Sequence, residues 1–306
     1  MRPRIATRLP GTPELHLAVQ PAQWQPAEDV LYVHGATFPS ALSIFFRFDG
    51  VSWADALNDA GYNAWGLDFA GYGESGWPEA MHGEPGAAPP VGRAEEAAPQ
   101  VRRALEHIVG RNGGAPVHVI AHSWGTLVAG RVAAASPGLV RSLVMFGPIA
   151  PREGAGITEP REAWRLLTVW QQYRRFIEDV PRGAPAVLAD RHIHEWAAAY
   201  LATDPESAGR SPPAVKTPSG PAADIAAAWR AGSAGYNLGA IRCPLLVVRG
   251  EWDSLCNDDD ARRLLAATGS TMKRDMKLAR GTHLMHLEEN RGDLHAASIE
   301  FLRAAV

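Results

Sequence analysis

Short apolar runs recur along the chain and alternate with longer stretches whose apolar positions fall every three or four residues. Residues 14–19, 30–33, 63–67, 117–121, 142–146, 245–248 and 271–278 read as strands, and residues 51–60, 93–109, 123–135, 258–267 and 292–305 as helices. Strand and helix in alternation predict an α/β fold, a mostly parallel sheet covered by helices. The stretch 79–92, EAMHGEPGAAPPVG, is too rich in Gly and Pro for either element and predicts an exposed loop that does not end the domain.

Between residues 151 and 238 the rhythm breaks. No strand run is visible there; helix-like pieces carry Trp164, Trp170, Tyr173, Phe176, Trp196, Tyr200, Trp229 and Tyr236, split by the Pro-rich GRSPPAVKTPSGP. The strand pattern resumes in IRCPLLVVRG. An insertion that leaves after one sheet strand and returns before the next predicts a helical cap over the sheet's C-terminal edge. A separate helical domain would deprive the sheet of its last strands. The expected organisation is therefore a first core part at 1–150, a cap at 151–238 and a second core part at 239–306.

With 306 residues, 46% of them hydrophobic, the chain can bury a large core. Its 30 basic and 33 acidic residues leave a formal charge of −3 with no basic stripe, so neither nucleic acid nor an anionic membrane surface is an expected partner. Cys243 and Cys256 lack metal-ligand spacing and are expected as free thiols in a reducing compartment. No run reads as a secretory signal or a membrane span, and a cytoplasmic protein is expected.

One stretch raises a chemical question. VHVIAHSWGTLVAG, residues 117–130, runs from a strand into a helix with Ser123 at the junction, between the small residues Ala121 and Gly125. Such spacing permits a sharp strand-to-helix turn with the serine at its tip, where the helix's free N–H groups point. The Trp124 N–H would then be a donor for a developing oxyanion. A serine in this place could also be a plain helix N-cap. HGATFPS follows an earlier strand, and its Gly35 would let Ala36 or Thr37 turn a second N–H toward the same point, with His34 structural. Asp68, Gly71, Gly73 and Ser75 of GLDFAGYGESG form a tight glycine turn without the spacing or the lysine of a phosphate loop.

Downstream, GEWDSL places Asp253 beyond a strand end and GTHLMHLE places His283 in a loop before the last helix. Ser123, Asp253 and His283 thus follow the order nucleophile, acid, base. A serine hydroxyl needs a base within hydrogen-bond reach, imidazole titrates near neutrality, and a carboxylate would fix its tautomer. Glu251 and His286 are the rival acid and base, while Asp259 and Asp260 read as the acidic first turn of a helix. HIHE, residues 192–195, lacks a third partner at known spacing, so no metal is expected.

HGATFP, DFAGYGES, AHSWG, GEWD and GTHLMHLE together resemble the α/β-hydrolase superfamily, in the branch with a helical cap after the sixth strand, over nearly the whole chain. Ala121 stands where that family commonly has Gly. The resemblance implies an eight-stranded-type sheet, Ser123 as nucleophile, His283 as base, Asp253 as acid, and an oxyanion hole from the N–H groups of Ala36 or Thr37 and Trp124. Serine at the elbow argues against the branches whose nucleophile is a carboxylate. The expected function is a serine hydrolase cleaving a small, largely apolar carboxylic ester through an acyl-enzyme, without a cofactor, with Trp170 and Trp196 on the pocket wall. The same triad would serve a thioester, a lactone, an activated amide, a carbon–carbon bond flanked by ketones, or perhydrolase and haloperoxidase chemistry, and the fold could survive as a ligand-binding sensor. Arg161, Arg165, Arg174, Arg175, Arg182 and Arg191 leave open a substrate with its own carboxylate, such as a monoester of a dicarboxylic acid.

Overall fold

The computed structural model describes residues 3–24, 26–154 and 157–305. Eight strands form one sheet: β1 (Ile5–Leu9), β2 (Leu15–Gln20), β3 (Glu28–Val33), β4 (Tyr62–Leu67), β5 (Val117–His122), β6 (Val140–Phe146), β9 (Leu245–Gly250) and β10 (Lys273–Leu278). Their order is β1-β2-β4-β3-β5-β6-β9-β10. From β4 to β10 every neighbouring pair is parallel, while β2 runs antiparallel to both β1 and β4.

Period-two alternation decides which residues meet which helices. Val119 and Ala121 of β5 and Leu245 and Val247 of β9 join one core cluster, with α2 (Ala94–Arg111), α3 (Gly125–Ala135) and α7 (Asp258–Ala267). Ile120, Leu246 and Val248 join the other, with α1 (Trp53–Asp59) and α8 (Arg291–Ala304). Apolar side chains on both faces explain why these central strands read as nearly unbroken apolar runs. Among the described residues no helix is long and apolar enough to cross a membrane.

β3 lies between β4 and β5, so the chain leaves β3 to one side and later returns on the other. Such a switch opens a crevice at the carboxyl ends of the strands, where ligands bind in open α/β sheets.

The segment after β6 contains α4 (Val169–Ile177), α5 (Asp190–Ala202) and α6 (Gly220–Ala231), together with a two-stranded antiparallel sheet of β7 (Trp164–Thr168) and β8 (Ala214–Pro218). The sequence pattern predicted no strand here. WRLLT is partly exposed and AVKTP mostly buried, but both are short, mix polar with apolar residues and pair only with each other, so they lack the apolar run that marks a central strand. The missing prediction of β1 has the same cause, since this antiparallel edge strand is largely exposed. Phe176, Leu188, Trp196, Tyr200 and Val215 of the insertion form a single cluster with Phe38, Leu42, Phe48, Leu284 and Leu287 of the core. Arg191 and His192 each lie 3.1 Å from a carboxylate oxygen of Asp49.

Candidate active site

Ser123 sits between β5 and α3 with φ +55°, a left-handed conformation that L residues rarely adopt. Backbone lies close against backbone at this turn: a Cβ on Gly125 would lie 2.4 Å from the carbonyl oxygen of His34, so glycine lets α3 start against the end of β3. Local bonds hold the turn. The Ser123 N–H donates to the Phe146 carbonyl at 2.9 Å, and the Thr126 hydroxyl donates to the Ser123 carbonyl at 2.6 Å.

At the tip of this turn the Ser123 Oγ is 2.7 Å from His283 Nε2. His283 Nδ1 is 3.0 Å from both carboxylate oxygens of Asp253, which follows β9. Asp253 is oriented in turn by the N–H groups of Leu255 and Cys256, which donate to Oδ1 at 2.9 and 3.1 Å. All three side chains are buried. The order hydroxyl, imidazole, carboxylate lets the imidazole withdraw a proton from Oγ while the carboxylate fixes its tautomer. Three residues named from sequence thus meet in one hydrogen-bonded chain.

Neither rival residue meets Ser123. Glu251 accepts the Arg280 N–H at 3.1 Å at the surface, and His286 is buried with neither ring nitrogen hydrogen-bonded. Asp260 lies in the first turn of α7, inside a capping box with Asn257. HIHE is divided: His192 turns inward toward Asp49, whereas His194 and Glu195 are exposed. Cys256 is buried behind Asp253, where burial and then the Asp253 charge push its thiol upward, away from thiolate chemistry.

The N–H groups of Ala36, Thr37 and Trp124 make no hydrogen bond with any described residue. Ala36 and Thr37 line the cavity together with Ser123 and His283. The loop that carries them is braced from below: Tyr72 donates its hydroxyl to the Ala36 carbonyl at 2.6 Å, and His34 Nε2 accepts the Phe69 N–H at 3.1 Å. Asp68 secures that brace by accepting from the N–H and hydroxyl of Ser40 at 3.0 and 2.6 Å. DFAGYGES is therefore a scaffold under the loop that carries Ala36 and Thr37.

Sequence reasoning missed several residues that shape the site. His122 Nε2 is 2.9 Å from the His283 carbonyl oxygen, an acceptor, so Nε2 carries the proton. Burial, followed by the neighbouring His286 and His283, holds His122 well below the ordinary histidine range and keeps it neutral. Gly147, just past β6, faces the triad; a Cβ there would lie 2.9 Å from Asp253 Oδ2 and 3.0 Å from His283 Nδ1. Thr282 donates both its N–H and its hydroxyl to the buried Glu288. Burial, only partly offset by these bonds, pushes the Glu288 carboxyl up to about 7. Gln172 of α4 accepts the Thr37 hydroxyl at 3.3 Å.

The cavity encloses about 310 Å³ between the sheet's carboxyl end and the insertion. Its wall combines Phe38, Leu255 and Leu284 of the core with Ile157, Leu167, Ala222, Ile225 and Trp229 of the insertion, and with Arg165, Gln171, Gln172 and Arg175. Neither tryptophan expected on the wall is there. Trp170 is 64% exposed and rests on Tyr173 at the outer face of α4. Trp196 is fully buried, stacked on Tyr200 with its indole N–H on the Leu42 carbonyl at 3.1 Å, so it fills the core between insertion and sheet.

A family model described as serine aminopeptidase, S33, matches residues 30–290. A search of the curated proteins finds no match. Among solved structures, the chain is similar to 2-hydroxy-6-oxo-6-phenylhexa-2,4-dienoate hydrolase from Rhodococcus sp. strain RHA1, with TM-score 0.66 and 18% identity over 98% of this chain and 99% of that one. It is also similar to a thermophilic esterase from Thermogutta terrifontis, with TM-score 0.61 and 18% identity over 99% of each chain. Epoxide hydrolase A from Mycobacterium thermoresistibile aligns with TM-score 0.64 and 18% identity over 98% of each chain. At such identities these three show the fold alone.

Proposed function

This chain belongs to the serine aminopeptidase S33 family of α/β-hydrolases, and from that premise we propose that it cleaves a small, largely apolar carboxylic ester through an acyl-enzyme on Ser123. The hydrogen-bonded chain from Ser123 through His283 to Asp253, opening on a cavity beside three unbonded N–H groups, carries this reading. Ser123 Oγ attacks the carbonyl carbon as His283 Nε2 takes its proton; the oxyanion forms against the N–H groups of Trp124 and of Ala36 or Thr37. His283 returns the proton to the leaving alcohol, and a water activated by the same imidazole then releases the acid. The insertion serves as the cap that closes over the acyl and alcohol groups.

A peptide substrate with a free amino terminus fits this cavity less well. No Asp or Glu among the described residues lines it, and two arginines do, so an ammonium group would meet charge of its own sign. Incubation with p-nitrophenyl esters followed by mass spectrometry tests the proposal: repeated turnover per active site and a trapped acyl adduct on Ser123 are expected. An absence of both, with the ester shown to bind, would leave a ligand-binding sensor.

A further inference from the structure

Arg165 projects from β7 onto the wall of the cavity that Ser123 also lines. Its Nε is buried and has no acceptor, and its guanidinium forms no ion pair or hydrogen bond with any described residue. Several other half-buried arginines have acid partners, Arg93 with Glu159 and Asp224, Arg152 with Asp260 and Arg210 with Asp204, whereas Arg131 and Arg141 also have a buried Nε without an acceptor but do not line the cavity. Arg175, the second cation on the wall, lies 3.1 Å from Glu178.

Arg165 is half-buried, and its buried Nε–H is a polar donor left without an acceptor, which is costly; such groups are normally paired. Nε–H and the adjacent Nη–H of a guanidinium form a flat, two-pronged edge that matches the two oxygens of a carboxylate. The cavity that Arg165 lines has a mostly apolar wall, which includes Leu167, Ile225, Trp229, Leu255 and Leu284. Resting on the hydrolase reading, we infer that the substrate carries a free carboxylate on an otherwise apolar body, and that Arg165 binds it and sets the specificity of the site. The missing partner of Arg165 arrives with the substrate.

Two matched pairs of esters test this at neutral pH, where a carboxylic acid is ionised. The p-nitrophenyl half-ester of adipic acid against p-nitrophenyl hexanoate probes a carboxylate on the acyl side. The 4-acetoxybenzoate anion against its methyl ester probes the alcohol side. In at least one pair the charged ester is expected to have a kcat/KM about tenfold higher, and Arg165→Met should reduce that ratio by about tenfold or more, with Arg165→Lys reducing it less. Arg174→Met, on the exposed face of α4, should leave the ratio as it is. A preference for the neutral ester in both pairs, or an unchanged ratio in folded Arg165→Met, overturns the inference; Arg165→Gln replaces it if the Met variant does not fold. Should no ester be turned over, the hydrolase reading fails separately, and calorimetric titration of adipate decides the anion site. Binding that is lost in the Arg165 variant supports it, and equal or absent binding in both proteins overturns it.

Discussion

The indole N–H of Trp124 donates to Asp224 Oδ2 at 2.9 Å, so the residue that follows Ser123 is tied to helix α6 of the insertion. The same carboxylate accepts the Ala94 N–H at 2.6 Å and lies 3.3 Å from Arg93 Nη1. Three helix segments, α2, α3 and α6, therefore share one half-buried acceptor. If the Trp124 N–H stabilises an oxyanion, its aim depends on this anchor. Asp224→Ala is expected to lower kcat on a short acetate ester by about tenfold, since a donor moved out of line contributes little. Asp224→Asn keeps an acceptor and should retain most of the activity. Equal kcat for the wild type and the Ala variant would detach Trp124's anchoring from catalysis.

Replacement of the proposed nucleophile is a separate test. Ser123→Ala should fold normally and lose at least about three orders of magnitude in kcat, leaving only binding and the oxyanion donors. Retention of a tenth of wild-type turnover, with contaminating esterase removed, would sink the assignment of Ser123.

Gly147 offers a steric probe of the His283–Asp253 contact. Its φ of +52° disfavours any other residue, and an added Cβ would lie 2.9 Å from Asp253 Oδ2 and 3.0 Å from His283 Nδ1. Gly147→Ala is thus expected to cost about 1–3 kcal/mol of stability and to lower kcat more than it raises KM, because the imidazole loses its orientation before substrate binding changes. Denaturant unfolding and steady-state kinetics on one preparation check both parts. A variant with wild-type kcat would mean that the acid–base pair tolerates displacement.

What could be read from sequence, and what could not, follows a physical division. Ser123, Asp253 and His283 were legible because each lies just past a strand, where short motifs with small residues mark the turn. Gly125 and Gly35 belong to those motifs. His122, Gly147 and Glu288 were not legible as parts of the site, since their roles depend on contacts across the sheet or the His283 loop. The tryptophans Trp170 and Trp196 show a similar limit. Aromatic content located the insertion, but which face of α4 and α5 turns inward is decided by packing against Phe38, Phe176 and Leu42. The strands β7 and β8 escaped because two short strands that pair only with each other carry no strong period.

Acid stability should be governed by buried histidines. His295 stacks on Trp53 and is pushed down to about 3, chiefly by burial, and His286 likewise to about 3. An unfolded histidine titrates near 6.5. Between these values the unfolded chain binds a proton that the native state refuses, so stability present above about pH 6.5 falls as pH drops toward 3. Glu288 acts in the opposite sense: its raised pKa favours the protonated native form, and that contribution is lost as pH rises from about 4.5 through about 7. His295→Phe keeps a ring on Trp53 and removes one titration. Its stability should fall less than that of wild type between pH 7 and 5, by about 2 kcal/mol for a fully suppressed proton. Parallel pH profiles for the two proteins, from denaturant unfolding, would show that His295 is not a group that titrates on unfolding.

The remaining prediction concerns which tryptophan discriminates among substrates. Trp229 lies on the cavity wall, 5% exposed, with the Arg152 guanidinium over its ring at 4.1 Å. Trp170 faces solvent. Burial of apolar area contributes about 25 cal/mol per Å², so a bulky ester has more to lose than an acetate when an indole is cut from the wall. Trp229→Ala is expected to lower kcat/KM for a long-chain or aromatic ester about tenfold more than for the acetate, a difference of about 1.4 kcal/mol in transition-state binding. Trp170→Ala should leave both within about twofold of wild type, as surface substitutions generally have small effects. Because Trp229 also supports Arg152, equal losses on both esters would indicate general damage, and thermal melting of the variant distinguishes the two cases. If instead Trp170→Ala alone shifts the ratio, the insertion must move during turnover so that the outer face of α4 reaches the substrate.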